Sequence, residues 1–214
     1  MIAVIDYGMG NLRSVEKALE VSGAKTRITS KPSDIEKAGK IVFPGVGAFG
    51  EAMRELKRLR LVEPIKDAIA EGKPFLGLCL GLQLLFEKSE EAPGVRGLCV
   101  LKGEVKKFRV SCIGFRESKT ILKVPHMGWN NIKRSTIYDP RSTILKDVPS
   151  GSYMYFVHSY YVKPKDKSAI LTTTDYGIKF VSGVAKDNIY GFQFHPEKSQ
   201  ELGLRILKNF VELK

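Results

Sequence analysis

Cysteine, histidine and tryptophan are scarce in this chain: three cysteines, three histidines and one tryptophan stand among 214 residues. An odd set of cysteines at positions 79, 99 and 112, without paired metal-ligand spacing, excludes a disulfide framework and points to a reducing compartment. Cys99 and Cys112 read as structural or incidental. No uncharged apolar run approaches the roughly 20 residues that span a bilayer, the longest being Pro74 to Phe86. Met1 to Asp6 reads as a buried strand and lacks the basic region and apolar core of a signal peptide, so a cytoplasmic protein with no membrane partner is expected. Acidic side chains are outnumbered, 23 against 35 Lys plus Arg, which leaves a net charge of +12. Much of the excess lies between Lys102 and Arg134, where Glu104 and Glu117 are the only acids. A basic face of this kind holds phosphates, docks an acidic partner or is solvated lysine. With no nucleic-acid motif beside it, solvation or docking is the better reading, and no nucleic-acid partner is expected.

Repeats, low-complexity tracts and linkers are also missing, so residues 1–214 are read as one domain, long enough to bury a substantial core. Its first half alternates strand and helix, which implies a parallel sheet covered on both faces. Strands are expected at Ile2 to Asp6, Lys25 to Thr29 and Lys40 to Phe43. Helices are expected from Leu12, with Val15, Ala18 and Leu19 at helical spacing and Gly23 as the stop, from about Phe49 to Leu59, and from Val62 to Glu71 before Gly72. From about Leu98 onward the runs turn β-like, including Tyr153 to Val157, Ala169 to Thr174, Phe180 to Ala185 and Ile189 to Phe194. An amphipathic helix carrying Leu202, Ile206 and Phe210 closes the chain. The fold class is α/β, with a mostly parallel central sheet, flanking helices and a β-rich, partly antiparallel second half.

Cys79 stands at the centre of Gly77-Leu78-Cys79-Leu80-Gly81, where the apolar run from Pro74 meets a helical pattern. This is the layout of a nucleophile elbow, in which glycines on both sides allow a tight strand-to-helix turn that lifts the side chain clear of the sheet. The N–H groups of the helix that follows favour thiolate over thiol. A nucleophile needs a base, and His195 in Phe194-His195-Pro196-Glu197 ends an apolar strand with a carboxylate two residues on. Pro196 holds His195 extended, and i and i+2 of an extended chain project to one side, so Glu197 reaches the imidazole and completes a Cys-His-Glu relay. Between Phe43 and Gly50 lies a glycine-rich loop after an apolar strand. It suits a phosphate, a plain turn or an oxyanion hole, and its place before the elbow strand favours the last, with the Val46 to Gly47 backbone and the Leu80 N–H as donors.

The segments PGVGAFG (44–50), GLCLGLQLLFE (77–87), PHMGWN (125–130), YFVHSYY (155–161) and GFQFHPEKS (191–199), with DYGMGN (6–11), resemble class I glutamine amidotransferases of the Cys-His-Glu type. More narrowly, PGVG, PHMGWN and the Tyr-Phe-Val-His segment are similar to those of the glutaminase subunits of imidazole glycerol phosphate synthases. The motifs span nearly the whole chain. The stretch from about Lys106 to Val124 departs from the pattern by its length.

The resemblance implies one type-1 amidotransferase domain that hydrolyses glutamine to glutamate and ammonia through a Cys79 thioester. Ammonia then passes to a (βα)₈-barrel cyclase subunit, in a heterodimer that makes imidazole glycerol phosphate and aminoimidazole carboxamide ribotide for histidine biosynthesis. It further implies that Gly45, Gln83, Glu91, Ser159 and Tyr160 bind glutamine, that Asn11, Trp129, Asn130 and Lys198 meet the cyclase, and that no metal or organic cofactor takes part. Two rivals are kept open: a stand-alone Cys hydrolase on the same scaffold, against which Gln83 and PHMGWN argue, and a catalytically silent basic docking module.

Overall fold

The computed structural model describes residues 1–109, 122–135 and 144–213 with their side chains, and the backbone of residues 113–115 and 118–120. Cys112 and most of the long basic stretch expected between Lys106 and Val124 lie outside the described residues.

The first half alternates as the hydrophobic pattern demands: β1 (Ile2–Ile5), α1 (Leu12–Val21), β2 (Thr26–Thr29), α2 (Pro32–Lys37), β3 (Lys40–Gly45), α3 (Phe49–Arg58), α4 (Val62–Ala70), β4 (Phe75–Cys79) and α5 (Leu80–Leu84). Gly23 and Gly72 end α1 and α4 with φ of +93° and +83°, values at which a side chain is strained. The helix α2 escapes the sequence pattern because it has six residues and buries only Ile35. The strands β5 (Lys88–Ser89), β6 (Gly103–Lys107), β7 (Ile113–Phe115), β8 (Ser118–Thr120), β9 (His126–Asn131), β10 (Lys133–Arg134), β11 (Tyr153–His158), β12 (Tyr160–Pro164), β13 (Ile170–Asp175), β14 (Lys179–Lys186) and β15 (Ile189–Phe192) follow, and α6 (Gln200–Glu212) is the amphipathic closing helix.

One sheet runs β2-β1-β3-β4-β15-β14-β12-β6-β5. From β2 to β15 every pairing is parallel, and from β15 through β14 and β12 to β6 every pairing is antiparallel. β13 pairs with β14 and β10 with β13, both antiparallel, while β9 and β11 form a separate antiparallel ribbon. The β-rich second half is therefore partly antiparallel as expected, while β15 returns to the parallel core beside the elbow strand β4 and β6 pairs in parallel with β5.

Alternation along the central strands divides the core into two layers. Ile5, Ile41, Phe43 and Phe75 meet α3 and α4 through Phe49, Ala52, Leu56, Ile65 and Ile69. On the opposite face Val4, Val42, Leu76 and Leu78 meet Val15 and Leu19 of α1 and Ile206, Leu207 and Phe210 of α6. The C-terminal ends of β3, β4 and β15 thus emerge together at one edge, the place where parallel α/β sheets put their reactive groups.

Candidate active site

Cys79 caps the end of β4 with φ +52° and ψ −107°, a backbone conformation that L-residues rarely adopt. Such strain costs on the order of 1–3 kcal/mol and persists only where the surroundings enforce it. The flanking glycines do a different task from the one their sequence position suggests. Neither Gly77 nor Gly81 has a positive φ, so the strained residue is the cysteine itself. Gly77 and Gly81 instead make room: a Cβ on Gly77 would come within 2.9 Å of the Leu82 nitrogen, and one on Gly81 would overlap the Phe43 carbonyl. The helix behind the thiol, α5, is five residues long. Its first-turn N–H groups, more than any macrodipole, are what it offers the sulfur.

His195 and Glu197 do come together, with Nδ1 2.8 Å from Oε1 and both side chains buried. The route differs from the expected one. His195 is extended, at φ −101° and ψ 95°, but Pro196–Lys198 is a single 3₁₀ turn, so Glu197 folds back on the imidazole across a turn instead of lying beside it on a strand. A carboxylate accepts only, so Nδ1 carries a proton and Nε2 is the nitrogen left to exchange one with the thiol. Nε2 is buried and makes no hydrogen bond of ordinary geometry. Burial opposes the imidazolium, yet Cys79 and Glu197 outweigh it and push the His195 pKa well above its ordinary range. These surroundings favour the imidazolium form of His195, whose second proton sits on Nε2.

A cavity of about 360 Å³ opens over the thiol, lined by Val46, Gly47, Cys79, Leu80, Gln83, Glu91, Pro125, Val157, His158, Ser159 and Tyr160. It gathers the expected oxyanion donors and all the expected glutamine-binding residues except Gly45. Gly45 lies under the floor, paired with Cys79 in the β3–β4 register. Glu91 has one carboxylate oxygen tied to the Phe49 N–H at 2.8 Å, at the start of α3. Gln83 is buried and donates to the Tyr160 carbonyl and to Gln193 Oε1, both at 3.2 Å. Gln193 in turn donates to Cys79 Sγ at 3.7 Å, and the thiol faces the Val157 carbonyl at 3.8 Å.

Sequence reasoning did not single out Gln193, although a glutamine inside the apolar run Phe192-Gln193-Phe194 is a signal that it faces something polar. It also passed over the two remaining histidines. His158 donates from Nδ1 to the Tyr160 carbonyl at 2.8 Å, so its Nε2 accepts from His126 Nδ1 at 3.0 Å, and His126 Nε2 accepts from Asn130 at 3.3 Å. The carbonyl acceptor at the end of the chain fixes both tautomers. Burial lowers the pKa of His126 to about 4 and that of His158 to about 3, so both rings are neutral props behind Ser159 and Tyr160.

On the outer face, Trp129 is 47% exposed and is therefore not a core residue. Its ring meets Tyr155 edge-on at 6.0 Å, and the exposed Lys198 ammonium lies 5.9 Å from the same Tyr155 ring. Trp129 and Lys198 thus share one surface, next to the His195–Glu197 turn. Asn130 is only half available, since its side chain also donates to the Asp175 carbonyl. Asn11 is exposed at the start of α1. A larger cleft of about 590 Å³ is bordered by Lys106, Lys107, Arg109, Lys163, Lys167 and Lys179, with Glu90 paired to Lys106 and Arg109. Cys79 is not among its walls, so the basic face and the thiol are separate features. Among the described residues no helix is long and apolar enough to cross a membrane.

The family "Glutamine amidotransferase class-I" matches residues 3–213. Among curated proteins, the chain is 50% identical to "Imidazole glycerol phosphate synthase subunit HisH" of Syntrophotalea carbinolica, over 100% of both chains. It is 51% identical to the protein of that name from Geobacter sulfurreducens, covering 100% of this chain and 99% of the relative. The Aquifex aeolicus protein of the same name is also 51% identical, over 97% and 94% of the two chains. Among solved structures, a glutamine amidotransferase superposes with a TM-score of 0.72 at 15% identity over 100% of both chains, and the PurLQS structure from Thermotoga maritima gives 0.68 at 17% over 98% and 96%, likenesses of fold alone. A strained cysteine elbow, a buried His-Glu pair and a family match over nearly every residue lead to one conclusion: the chain belongs to the class-I glutamine amidotransferase family.

Proposed function

We propose that this chain is the glutaminase subunit of an imidazole glycerol phosphate synthase. It works in the cytoplasm as a single domain and hands ammonia to a (βα)₈-barrel cyclase docked over the Trp129 face in a heterodimer. The cyclase uses that ammonia to form imidazole glycerol phosphate and aminoimidazole carboxamide ribotide in histidine biosynthesis. One observation carries the reading: the strained Cys79 lines a 360 Å³ cavity, of a size that suits one amino acid, and interacts with a buried His195 that is paired with Glu197.

The thiolate of Cys79 attacks the side-chain carboxamide carbon of glutamine. Negative charge then develops on the amide oxygen, where the Leu80 N–H and the Val46 to Gly47 backbone receive it. His195, protonated by the thiol it has ionised, gives that proton from Nε2 to the departing nitrogen. Ammonia leaves and a glutamyl thioester remains. Water enters, His195 takes its proton, hydroxide attacks the thioester carbon, and the C–S bond breaks to give glutamate and restore the thiolate–imidazolium pair. Glu197 holds the proton on Nδ1 throughout and stabilises the imidazolium.

Gln83, Glu91, Ser159 and Tyr160 orient the amino-acid end of glutamine, and Gly45, the register partner of Cys79, shapes the floor beneath it. Glu91 commits one oxygen to the Phe49 N–H and keeps the other for the substrate ammonium. Gln83 fixes the Tyr160 carbonyl, which sets the backbone that faces the substrate. Asn11, Trp129, Asn130 and Lys198 form the docking face, and a partner seated there shields ammonia from protonation in bulk water.

The decisive experiment is Cys79→Ala in the complex with the cyclase subunit. Glutamate release should vanish while cyclisation driven by added ammonium salt proceeds. A variant that still hydrolyses glutamine near the parent rate overturns the assignment. Equal glutaminase activity with and without the cyclase favours the stand-alone hydrolase instead.

A further inference from the structure

Tyr7, just beyond β1, is fully buried, and its hydroxyl has no hydrogen-bond partner among the described residues. A tyrosine hydroxyl in a core ordinarily finds one. Its surroundings are specific. The ring packs on Phe43 at 5.3 Å, and the hydroxyl occupies the space that a Cβ on Gly45 would need. The same Cβ would come within 3.0 Å of Leu80 Cβ, and Gly45 is the register partner of Cys79. One unused donor thus sits where the nucleophile strand, the elbow helix and the start of the Gly45–Gly47 segment meet. Burial and the nearby Cys79 charge both push the phenol pKa upward, so the group remains a proton donor throughout the working range.

We propose that Tyr7 is a positioning residue for the oxyanion segment: its hydroxyl donates to a main-chain carbonyl of Gly45–Gly47 when that segment turns an N–H toward the reacting amide oxygen. A trans peptide plane carries its N–H and C=O on opposite sides. Aiming an N–H into the pocket therefore turns the carbonyl of the preceding residue into the protein, toward the side where the Tyr7 hydroxyl lies unpaired. Gly45 has no Cβ to block the approach, and Gly47 already holds φ +106°, so the segment has the freedom to rotate. The bond is absent in the resting molecule and present as the oxyanion forms. Such an interaction favours the transition state over the ground state and acts on kcat, leaving KM alone.

The inference rests on the glutaminase reading of the site, and Tyr7→Phe in the cyclase complex tests it. The substitution removes one oxygen and no volume elsewhere. Glutamate release should fall about tenfold in kcat, equivalent to about 1.4 kcal/mol, with KM for glutamine unchanged and ammonia-driven cyclisation intact. Because the resting structure loses no hydrogen bond, the thermal midpoint should equal or exceed the parent's. An unchanged kcat, an effect confined to KM, or a lower melting temperature each overturns the inference while the parent's glutaminase activity stands. A parent complex that releases no glutamate removes the reading of the site and the role of Tyr7 with it, and that control is read before the variant is compared.

Discussion

Acidification from pH 7 to 5 should weaken this fold through two histidines alone. His126 and His158 are 2% and 6% exposed and share a 3.0 Å hydrogen bond, and burial lowers their pKa values to about 4 and about 3. In the unfolded chain both return to about 6.5. Between pH 6.5 and 4 the unfolded state therefore binds protons that the folded state refuses, and stability falls as pH falls, by about 1.4 kcal/mol per pH unit for each ring. At pH 5 the two together remove about 3–4 kcal/mol. A domain with about 5–15 kcal/mol in total feels such a loss. The other shifted groups act in different windows. His195, raised by Cys79 and Glu197, is protonated in both states below pH 6; its contribution is fully present there and is lost as pH rises through its folded value. Depressed carboxylates such as Asp34, Glu55 and Asp166 act only below about pH 4.5. Urea midpoints followed by far-ultraviolet circular dichroism at pH 7 and pH 5 measure the difference, and His126→Gln, which deletes one titrating ring, should roughly halve it. A parent whose stability changes by less than about 1 kcal/mol between the two pH values would refute the claim that these rings are buried and neutral.

His195→Ala should stop glutamate release, whereas Glu197→Gln should slow kcat by about 10²–10⁴-fold with KM nearly unchanged, since the carboxylate orients the base and does not touch substrate; steady-state kinetics of the complex decide this, and near-parent kcat in both variants would reduce the pair to structure. Trp129→Ala should weaken cyclase docking by about 2 kcal/mol or more, as exposed aromatics at the centre of a contact do, and Lys198→Ala should blunt the response of glutaminase to cyclase ligands; calorimetric titration and coupled assays would show unaltered binding and response if the docking face lies elsewhere. Gly81→Ala should destabilise the protein by about 1–3 kcal/mol and more if the backbone cannot yield, because its Cβ overlaps the Phe43 carbonyl; a thermal midpoint equal to the parent's would show that the elbow helix shifts freely.

The alternation of apolar strands and amphipathic helices up to Cys79 was legible in the chain, because side-chain periods of 2 and 3.6 are local properties that packing then confirms. The elbow and the His-Pro-Glu turn were legible for a similar reason: each is a few contiguous residues whose chemistry depends on immediate neighbours. Even there the sequence misled in detail, since Glu197 reaches His195 through a 3₁₀ turn and Cys79, not a glycine, bears the positive φ. The short helix α2 was lost because one buried residue makes no period. What only the tertiary structure decided are the meetings of distant segments. Gln83 with Gln193, His126 with His158, and Tyr7 with Gly45 depend on which strands lie side by side and in what register, and a single-residue slip would turn each of these groups to the other face. A buried polar atom advertises itself through the partner it finds or lacks, and that partner is set by the packing of the whole sheet, which no stretch of sequence carries alone.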